Sequence, residues 1–184
     1  MNFIKVLKIC GDILGLNYTD EFLYGDKAEI EQDTTAKRLL DCCNSVLDVL
    51  YREYALETRQ TVIEVKDGFV NTQNLKLIKA VSLKDSCGND VKYRYANGGL
   101  YADKDGKYNL KYVHSPDEVT VDGEIEFPSP RITERIFVYG VLAEYFSQIG
   151  DVTQADVWTE KYSSALKVLE LSSVCRVMPA RRWL

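Results

Sequence analysis

The chain has 184 residues, of which 46% are hydrophobic and 28% charged, and its net charge is −5. This length and composition are those of a globular protein with one sizeable domain, or with a domain that carries an insertion. The acidic balance argues against a protein whose main task is to grip nucleic acid, because neutralising phosphates requires clustered Lys and Arg.

The cysteines and the apolar runs exclude further classes. The cysteine count is odd, with neither CxxC nor Cys/His ligand spacing, which favours a reducing compartment over a disulfide framework or a zinc site. Lys5 and Lys8 interrupt the apolar N-terminal run, and no apolar stretch reaches about 20 residues. We therefore predict neither a signal peptide nor a membrane span. The cysteines are Cys10, Cys42, Cys43, Cys87 and Cys175.

Two helices are predicted in the first third of the chain, separated by a polar connection over residues 17–32. The second helix is expected to begin at Asp33 or Thr34, either of which can accept a hydrogen bond from the free amides of the first turn. Because Cys42 and Cys43 diverge on a helix, we interpret them as small core residues rather than a redox pair. The predicted inward stripes are Phe3, Val6, Leu7, Cys10, Ile13 and Leu14, then Leu39, Cys43, Val46, Leu47, Leu50 and Tyr54.

The middle of the chain changes to a period of two, which predicts a small antiparallel β-region. Short segments rich in β-branched and aromatic residues alternate with turn-type clusters. Five tyrosines crowd into this region, and they either cover one face of the sheet or face a partner. The predicted strands lie within residues 61–68, 75–85, 91–102, 107–114 and 118–127, and the tyrosines are Tyr93, Tyr95, Tyr101, Tyr108 and Tyr112.

Two features of the β-region imitate functional sites. Asp103, Asp105 and Gly106 have the relative positions of an EF-hand loop, but Tyr101 and Tyr112 then occupy ligand positions that need carboxylates, so a hairpin turn is favoured. The lone histidine, His114, could be oriented as a base by Asp117. Since no nucleophilic residue lies at a spacing typical of a catalytic pair with His114, we interpret His114 as a surface or strand-end residue.

The clearest signal is a pair of helices near the C-terminus. Prolines within residues 127–131 end the β-region, and the next helix is expected to turn Ile132, Ile136, Ala143 and Phe146 inward, with Gly140 allowing a second helix to come close. Gly150 predicts a left-handed stop, and Thr153 with Asp156 resembles a capping box for the last helix. That helix carries the stripe Ala155, Trp158, Tyr162, Ala165, Leu166 and Leu169, in which Trp158 is expected to be buried.

These elements predict an α+β fold, in which a small antiparallel β-region is inserted into a helical bundle made of N-terminal helices and a C-terminal helical hairpin. The predicted helical body spans residues 1–58 and 131–174, the β-region spans residues 59–130, and a C-terminal docking tail spans residues 175–184.

The last third of the chain carries a recognisable series of short sequence motifs. A strand ends in a Tyr-x-x-x-Pro phrase at Tyr112 to Pro116, and a proline leads into a helix with Gly140, Ala143, Glu144 and Tyr145. The following helix has Ala155, Trp158 and Tyr162 at matching positions. With the order of helices, β insertion and helical pair, these residues resemble the head–tail connector (adaptor) proteins of tailed bacteriophages and prophages.

The resemblance implies a structural role in the virion neck, between capsid and tail, after assembly in the bacterial cytoplasm. Copies would form a ring, a dodecamer in that family, which sits beneath the portal protein, extends the channel through which double-stranded DNA passes, and gives further tail or neck proteins a platform. No cofactor, metal, membrane or catalytic residue is implied.

The C-terminal segment would dock onto the portal. Arg and Trp are frequent binding anchors, and Pro179 would keep the segment from continuing the helix. The predicted docking residues are Arg176, Met178, Pro179, Arg181, Arg182, Trp183 and Leu184.

Two other classes stay open. One is a cytoplasmic protein-interaction or scaffolding module without enzymatic activity. The other is an enzyme or nucleic-acid-processing protein, which is disfavoured because no acid/base pair, phosphate-binding glycine loop or metal cluster stands out.

Overall fold

The computed structural model describes residues 1–54 and 58–173, with side chains of the last helix described up to residue 169. It has the predicted α+β fold, 49% helical and 23% strand, with helices at both ends of the chain and two small antiparallel sheets between them. The helices are α1 (Phe3–Leu14), α2 (Asp20–Tyr24), α3 (Lys27–Gln32), α4 (Thr34–Tyr54), α5 (Glu134–Ile149) and α6 (Val152–Ser173). The strands are β1 (Arg59–Val65), β2 (Phe69–Asn71), β3 (Leu77–Lys84), β4 (Tyr93–Ala96), β5 (Gly99–Ala102) and β6 (Gly106–His114), with a 3-10 turn at Gln73–Leu75.

The contacts divide the chain into two compact units. The first comprises residues 1–46, 120–124 and those from 130 onward, and the second comprises residues 47–119 and 125–129. The later part of α4 is thus grouped with the strands. The domain boundaries expected from the sequence stay predictions.

Local caps fix where the helices of the first unit begin. Asn2 accepts the Lys5 N–H at 3.0 Å at the start of α1, and Asp33 accepts the Ala36 N–H at 2.6 Å at the start of α4. The predicted start of α4 is therefore confirmed. The inward stripes are largely confirmed too, except that Ile13 is exposed and Leu14 and Tyr54 are half-buried. Buried on these helices in the first unit are Phe3, Val6, Leu7, Cys10, Leu39, Cys42, Cys43 and Val46.

The polar connection expected over residues 17–32 instead forms two short helices. Thr19 caps α2 through the Phe22 N–H at 3.2 Å, and Asp26 caps α3 through the Ala28 N–H at 3.0 Å. Leu23 and Ile30 are buried as apolar anchors of α2 and α3. With one buried anchor in each helix, the pattern is too brief for a periodicity to be detected.

The C-terminal helical pair is formed as predicted. Gly150 has a φ of 79° and caps α5, and α6 begins directly afterwards. The expected capping box at Thr153 is wrong, because Asp151 accepts the Gln154 N–H at 3.1 Å and occupies the cap position two residues earlier. Two expected inward residues of α5, Ala143 and Phe146, are half-buried. The buried residues of α5 are Ile136, Phe137, Val138, Gly140, Val141 and Leu142.

The second unit contains both sheets, with strand orders β1-β6-β3 and β2-β5-β4. Asp67-Gly68 joins β1 to β2 and Asn97-Gly98 joins β4 to β5, all with φ between 52° and 73°. Such pairs of left-handed residues make tight turns. Asn97-Gly98 belongs to a turn-type cluster, whereas Asp67-Gly68 lies in the segment 61–68 that was expected to be a strand. The core of the unit consists of Ile63, Val65, Leu83, Leu100, Ala102, Tyr108, Leu110 and Tyr112.

The expected fifth strand, over residues 118–127, is wrong. The segment has turns and an isolated bridge from Glu124 to Asn2, but no ladder. Val119, Val121 and Ile125 are nevertheless buried. Alternating burial gives an extended segment the sequence pattern of a strand, whereas a strand also needs a neighbour for its backbone hydrogen bonds.

Candidate interaction surfaces

The predicted docking tail, with Arg176, Met178, Pro179, Arg181, Arg182, Trp183 and Leu184, lies outside the described residues. Its role stays a prediction. The part of the chain that leads to it is described: α6 runs to Ser173, and α6 packs along α5.

Gly140 lets the helical pair pack closely. A Cβ atom added at Gly140 would lie 2.9 Å from Cγ1 of Val46 on α4 and 3.0 Å from the ring of Tyr162 on α6. Real Cβ atoms rarely approach other atoms so closely. Gly140 therefore permits the close approach of helices that the sequence predicts. At this position α4, α5 and α6 of the first unit are in contact.

An aromatic ladder runs across the surface of this helical pair, and we define it as Arg135, Tyr139, Trp158 and Lys161. The guanidinium of Arg135 lies 5.4 Å from the centre of the Tyr139 ring, which lies 5.7 Å from that of Trp158. The Lys161 Nζ stands 3.9 Å from the centre of the Trp158 ring. Both rings are half-buried and both cations exposed, so the expectation that Trp158 is buried is wrong.

The ladder has the chemistry of a protein-binding surface. Exposed aromatic rings give contact area at low entropic cost, and Arg and Trp are enriched among residues that dominate binding energies. The two cations lie over ring faces and keep donors available for carboxylates of a partner. Sequence reasoning found Trp158 but missed Arg135, Tyr139 and Lys161, although Arg135 and Tyr139 stand four residues apart on one helix.

The tyrosines of the β-region differ in burial, and a partner-facing role for any of them stays a prediction. Tyr108 and Tyr112 are buried in the core of the second unit. Tyr93 donates to the carbonyl of Ala80 at 3.0 Å, and Tyr101 is half-buried. Tyr95 is 42% exposed, which leaves it available to a partner.

The EF-hand-like residues form a bend between β5 and β6, but the expected hairpin turn is wrong, because β5 and β6 pair in different sheets. The carboxylate of Asp105 accepts the N–H groups of Asp67 and Gly68 at 3.0 and 2.8 Å, so it holds the turn between β1 and β2. Among the described residues, no group of three or more His, Cys, Asp or Glu side chains could hold a metal ion.

His114 is the last residue of β6, which confirms it as a strand-end histidine. Its ring packs edge-on against Tyr51, with ring centres 5.6 Å apart. Asp117, the carboxylate that could have oriented it as a base, accepts a hydrogen bond from Lys76 at 2.9 Å, and this bond lowers the pKa of Asp117.

The adjacent cysteines behave as core residues. Cys10, Cys42 and Cys43 are fully buried and free, whereas Cys87 is exposed. Burial raises the pKa of Cys10 and of Cys42 to about 12, and it raises the pKa of Cys43 well above its usual value. A thiol that stays protonated is a poor nucleophile, which confirms the core interpretation.

In the comparisons with known proteins, no family model matches the chain and no curated protein matches it. Within the described part of the chain, no helix has both the length and the apolar character needed to cross a membrane.

Proposed function

We propose that this protein is a structural component of a tailed-phage virion, which forms a ring between the capsid portal and the tail. The ring extends the channel for double-stranded DNA and offers a platform to the next tail or neck protein. The protein acts without a catalytic site, and the C-terminal residues 175–184 dock onto the portal.

The helical pair is the observation that carries this proposal. Gly140 and Tyr162, two of the residues on which the resemblance to connector proteins rests, pack against each other. Trp158, another of them, stands in the aromatic ladder on the surface of the same pair. Close packing gives a stiff support, and the exposed cations and half-buried rings give it a face suited to binding a protein.

Removal of residues 181–184 tests the docking role. We expect the truncated chain to bind the portal protein encoded near its gene more weakly, because two arginines and a tryptophan would be lost. Its melting temperature should be unchanged, since residues 181–184 lie beyond the predicted helical body. Binding would be measured by co-sedimentation with portal rings, with Arg94→Ala in the β-region as the control.

Electron microscopy of the chain mixed with that portal tests the ring itself. We expect a ring of copies seated on the portal vertex. A chain that stays monomeric or dimeric with the portal, and whose neighbouring reading frames encode no capsid or portal protein, would contradict the proposal and favour the cytoplasmic interaction module.

A further inference from the structure

The open face of the β1-β6-β3 sheet is polar and basic. Along the central strand β6, Tyr108, Leu110 and Tyr112 are buried in the core, so the alternate residues Lys107, Asn109 and Lys111 lie on the opposite face. Residues directly opposite each other on antiparallel strands share a face. We define the lysine face by Gln60, Val62, Glu64, Ser82, Lys84, Lys107, Asn109 and Lys111, which the strand register brings together.

The three lysines of this face outnumber its one carboxylate, Glu64. Lys84 and Lys107 are exposed and Lys111 is half-buried, and none of their three ammonium groups forms a hydrogen bond or ion pair in the described part of the chain. Glu64 is directly opposite Lys107, but its carboxylate lies 3.6 Å from Lys66. A shallow groove runs across the face between Gln60, Ser82, Lys84, Asn109 and Lys111.

The matching charge lies in a single short segment of the first unit. Residues 20–33, which we define as the acidic segment, hold six carboxylates and one lysine, a net charge of −5. The whole chain also has a net charge of −5, so all other residues together sum to zero. Glu21, Glu29 and Glu31 are exposed and form no ion pair among the described residues. The carboxylates are Asp20, Glu21, Asp26, Glu29, Glu31 and Asp33, and the lysine is Lys27.

We propose that the lysine face binds the acidic segment of a second copy of this chain. The inference rests on the proposed ring and names the surfaces through which neighbouring copies meet. Because the two surfaces differ, the contact is head-to-tail, and a head-to-tail contact closes into a ring when its rotation permits.

A second copy fits the lysine face better than nucleic acid does. Val62, 64% exposed, lies at the centre of the face opposite Asn109, where a phosphate backbone offers no apolar partner. The acidic segment provides one in Tyr24, which is 66% exposed. Arginine is the preferred residue for phosphate recognition in nucleic-acid-binding proteins, and the lysine face contains none. A protein with a concentrated acidic segment also repels a long polyanion.

Zero-length carbodiimide cross-linking of mixed ¹⁴N- and ¹⁵N-labelled chains tests the contact directly. We expect amide cross-links between Lys84, Lys107 or Lys111 of one copy and Glu21, Glu29 or Glu31 of the other, read by mass spectrometry. The experiment uses the purified chain without a portal, so it can fail while portal binding succeeds, and the reverse. Cross-links confined to single copies, or to other residue pairs, would overturn the inference.

Charge reversal measures how much the face contributes. We expect K84E/K107E/K111E to weaken self-association in sedimentation experiments about tenfold or more, since three charge pairs between copies are lost. The control K92E/K104E/K167E changes the net charge equally and lies outside the β1-β6-β3 sheet, so it should have a smaller effect. Circular dichroism checks folding, and if K84E/K107E/K111E does not fold, the Lys→Gln variants and the cross-links decide.

Exchange of the charges gives the sharpest test. E21K/E29K/E31K should not associate with itself, but its mixture with K84E/K107E/K111E should restore association. No restoration would overturn the inference. Binding of a fluorescent DNA duplex to the wild-type chain, lost in K84E/K107E/K111E, would also overturn it and assign the face to nucleic acid instead.

Discussion

Gly140 lies where α5 packs against Val46 of α4 and Tyr162 of α6. Replacing it with Ala would place a methyl group 2.9 Å from Val46 and 3.0 Å from the Tyr162 ring. Overpacking of this kind costs about 1 to 3 kcal/mol, and the higher helix propensity of Ala returns about 1 kcal/mol. We expect Gly140→Ala to lower the free energy of unfolding by about 1 kcal/mol in urea titrations.

Ser147→Ala, at an exposed position of the same helix, is the matched control and should change stability by less than about 0.5 kcal/mol. A Gly140→Ala variant more stable than the wild type would show that the three helices can move apart without loss.

The cysteines should differ sharply in reactivity. With Cys175→Ser as background, we expect iodoacetamide at pH 8 to modify Cys87 in the folded protein while Cys10, Cys42 and Cys43 stay intact. Burial raises the pKa of Cys10 and Cys42 to about 12, so almost no thiolate forms at pH 8, and the side chains are also inaccessible. Peptide mass spectrometry would measure the modified fractions.

Unfolding in urea should expose all of these thiols and remove the difference, which serves as the internal control. Rapid modification of Cys42 or Cys43 in the folded chain would contradict the core interpretation and revive a redox role.

At the scale of single elements, the start of α6 depends on Asp151 rather than Thr153. Asp151 accepts the Gln154 N–H at 3.1 Å, and loss of such a cap costs about 1 kcal/mol. We expect Asp151→Ala to reduce the free energy of unfolding by about that amount, measured by urea titration. Thr153→Ala is the matched control, and a larger loss there would restore the capping box expected from the sequence.

The two faces of the helical pair should differ in what they contribute to stability. Phe137 is fully buried, so Phe137→Ala should cost about 3 to 5 kcal/mol in chemical denaturation. Trp158 is half-buried, and Trp158→Ala should cost about 2 kcal/mol or less, below the cost of emptying a buried aromatic site.

Portal co-sedimentation of Trp158→Ala separates its two roles. Lost binding with a nearly normal fold would mean that the aromatic ladder faces a partner. A stability loss as large as that of Phe137→Ala would show that Trp158 is a core residue after all.

At the scale of the whole molecule, ion pairs contribute little to the fold. Pairs such as Lys5–Glu134 at 2.6 Å and Lys8–Asp20 at 2.9 Å have side chains that are at least 43% exposed. Exposed pairs are weak and screened by salt. We expect the melting temperature of the monomer to change by less than about 3 °C between roughly 0.05 and 0.5 M NaCl.

The same salt change should weaken self-association through the lysine face, because that contact joins opposite charges of two copies. Parallel measurements of melting and sedimentation would separate the fold from the assembly. A large fall in the melting temperature of the monomer would mean that charge pairs support its core.

The outcomes of the individual elements show why some of them were visible in the sequence. The start of α4, the stop at Gly150 and the turn at Asn97-Gly98 depend on residues close together in the chain. Short-range hydrogen bonds and positive φ values require particular residue types within a few positions, so they can be recognised in the sequence. Residues 118–127 show the limit of local patterns. Their buried and exposed residues alternate as the sequence predicts, but the segment pairs with no neighbouring strand in a ladder.

The sequence by itself therefore determined the fold class, the long helices and most strands, because helical and extended periodicities are local consequences of burial on one face. Only the tertiary structure decided that β6 lies between β1 and β3, that Trp158 stays half-buried in a ladder with Lys161, and that three lysines share one open face. The physical reason is that each depends on contacts between residues distant in the chain or on different elements, which no local pattern encodes.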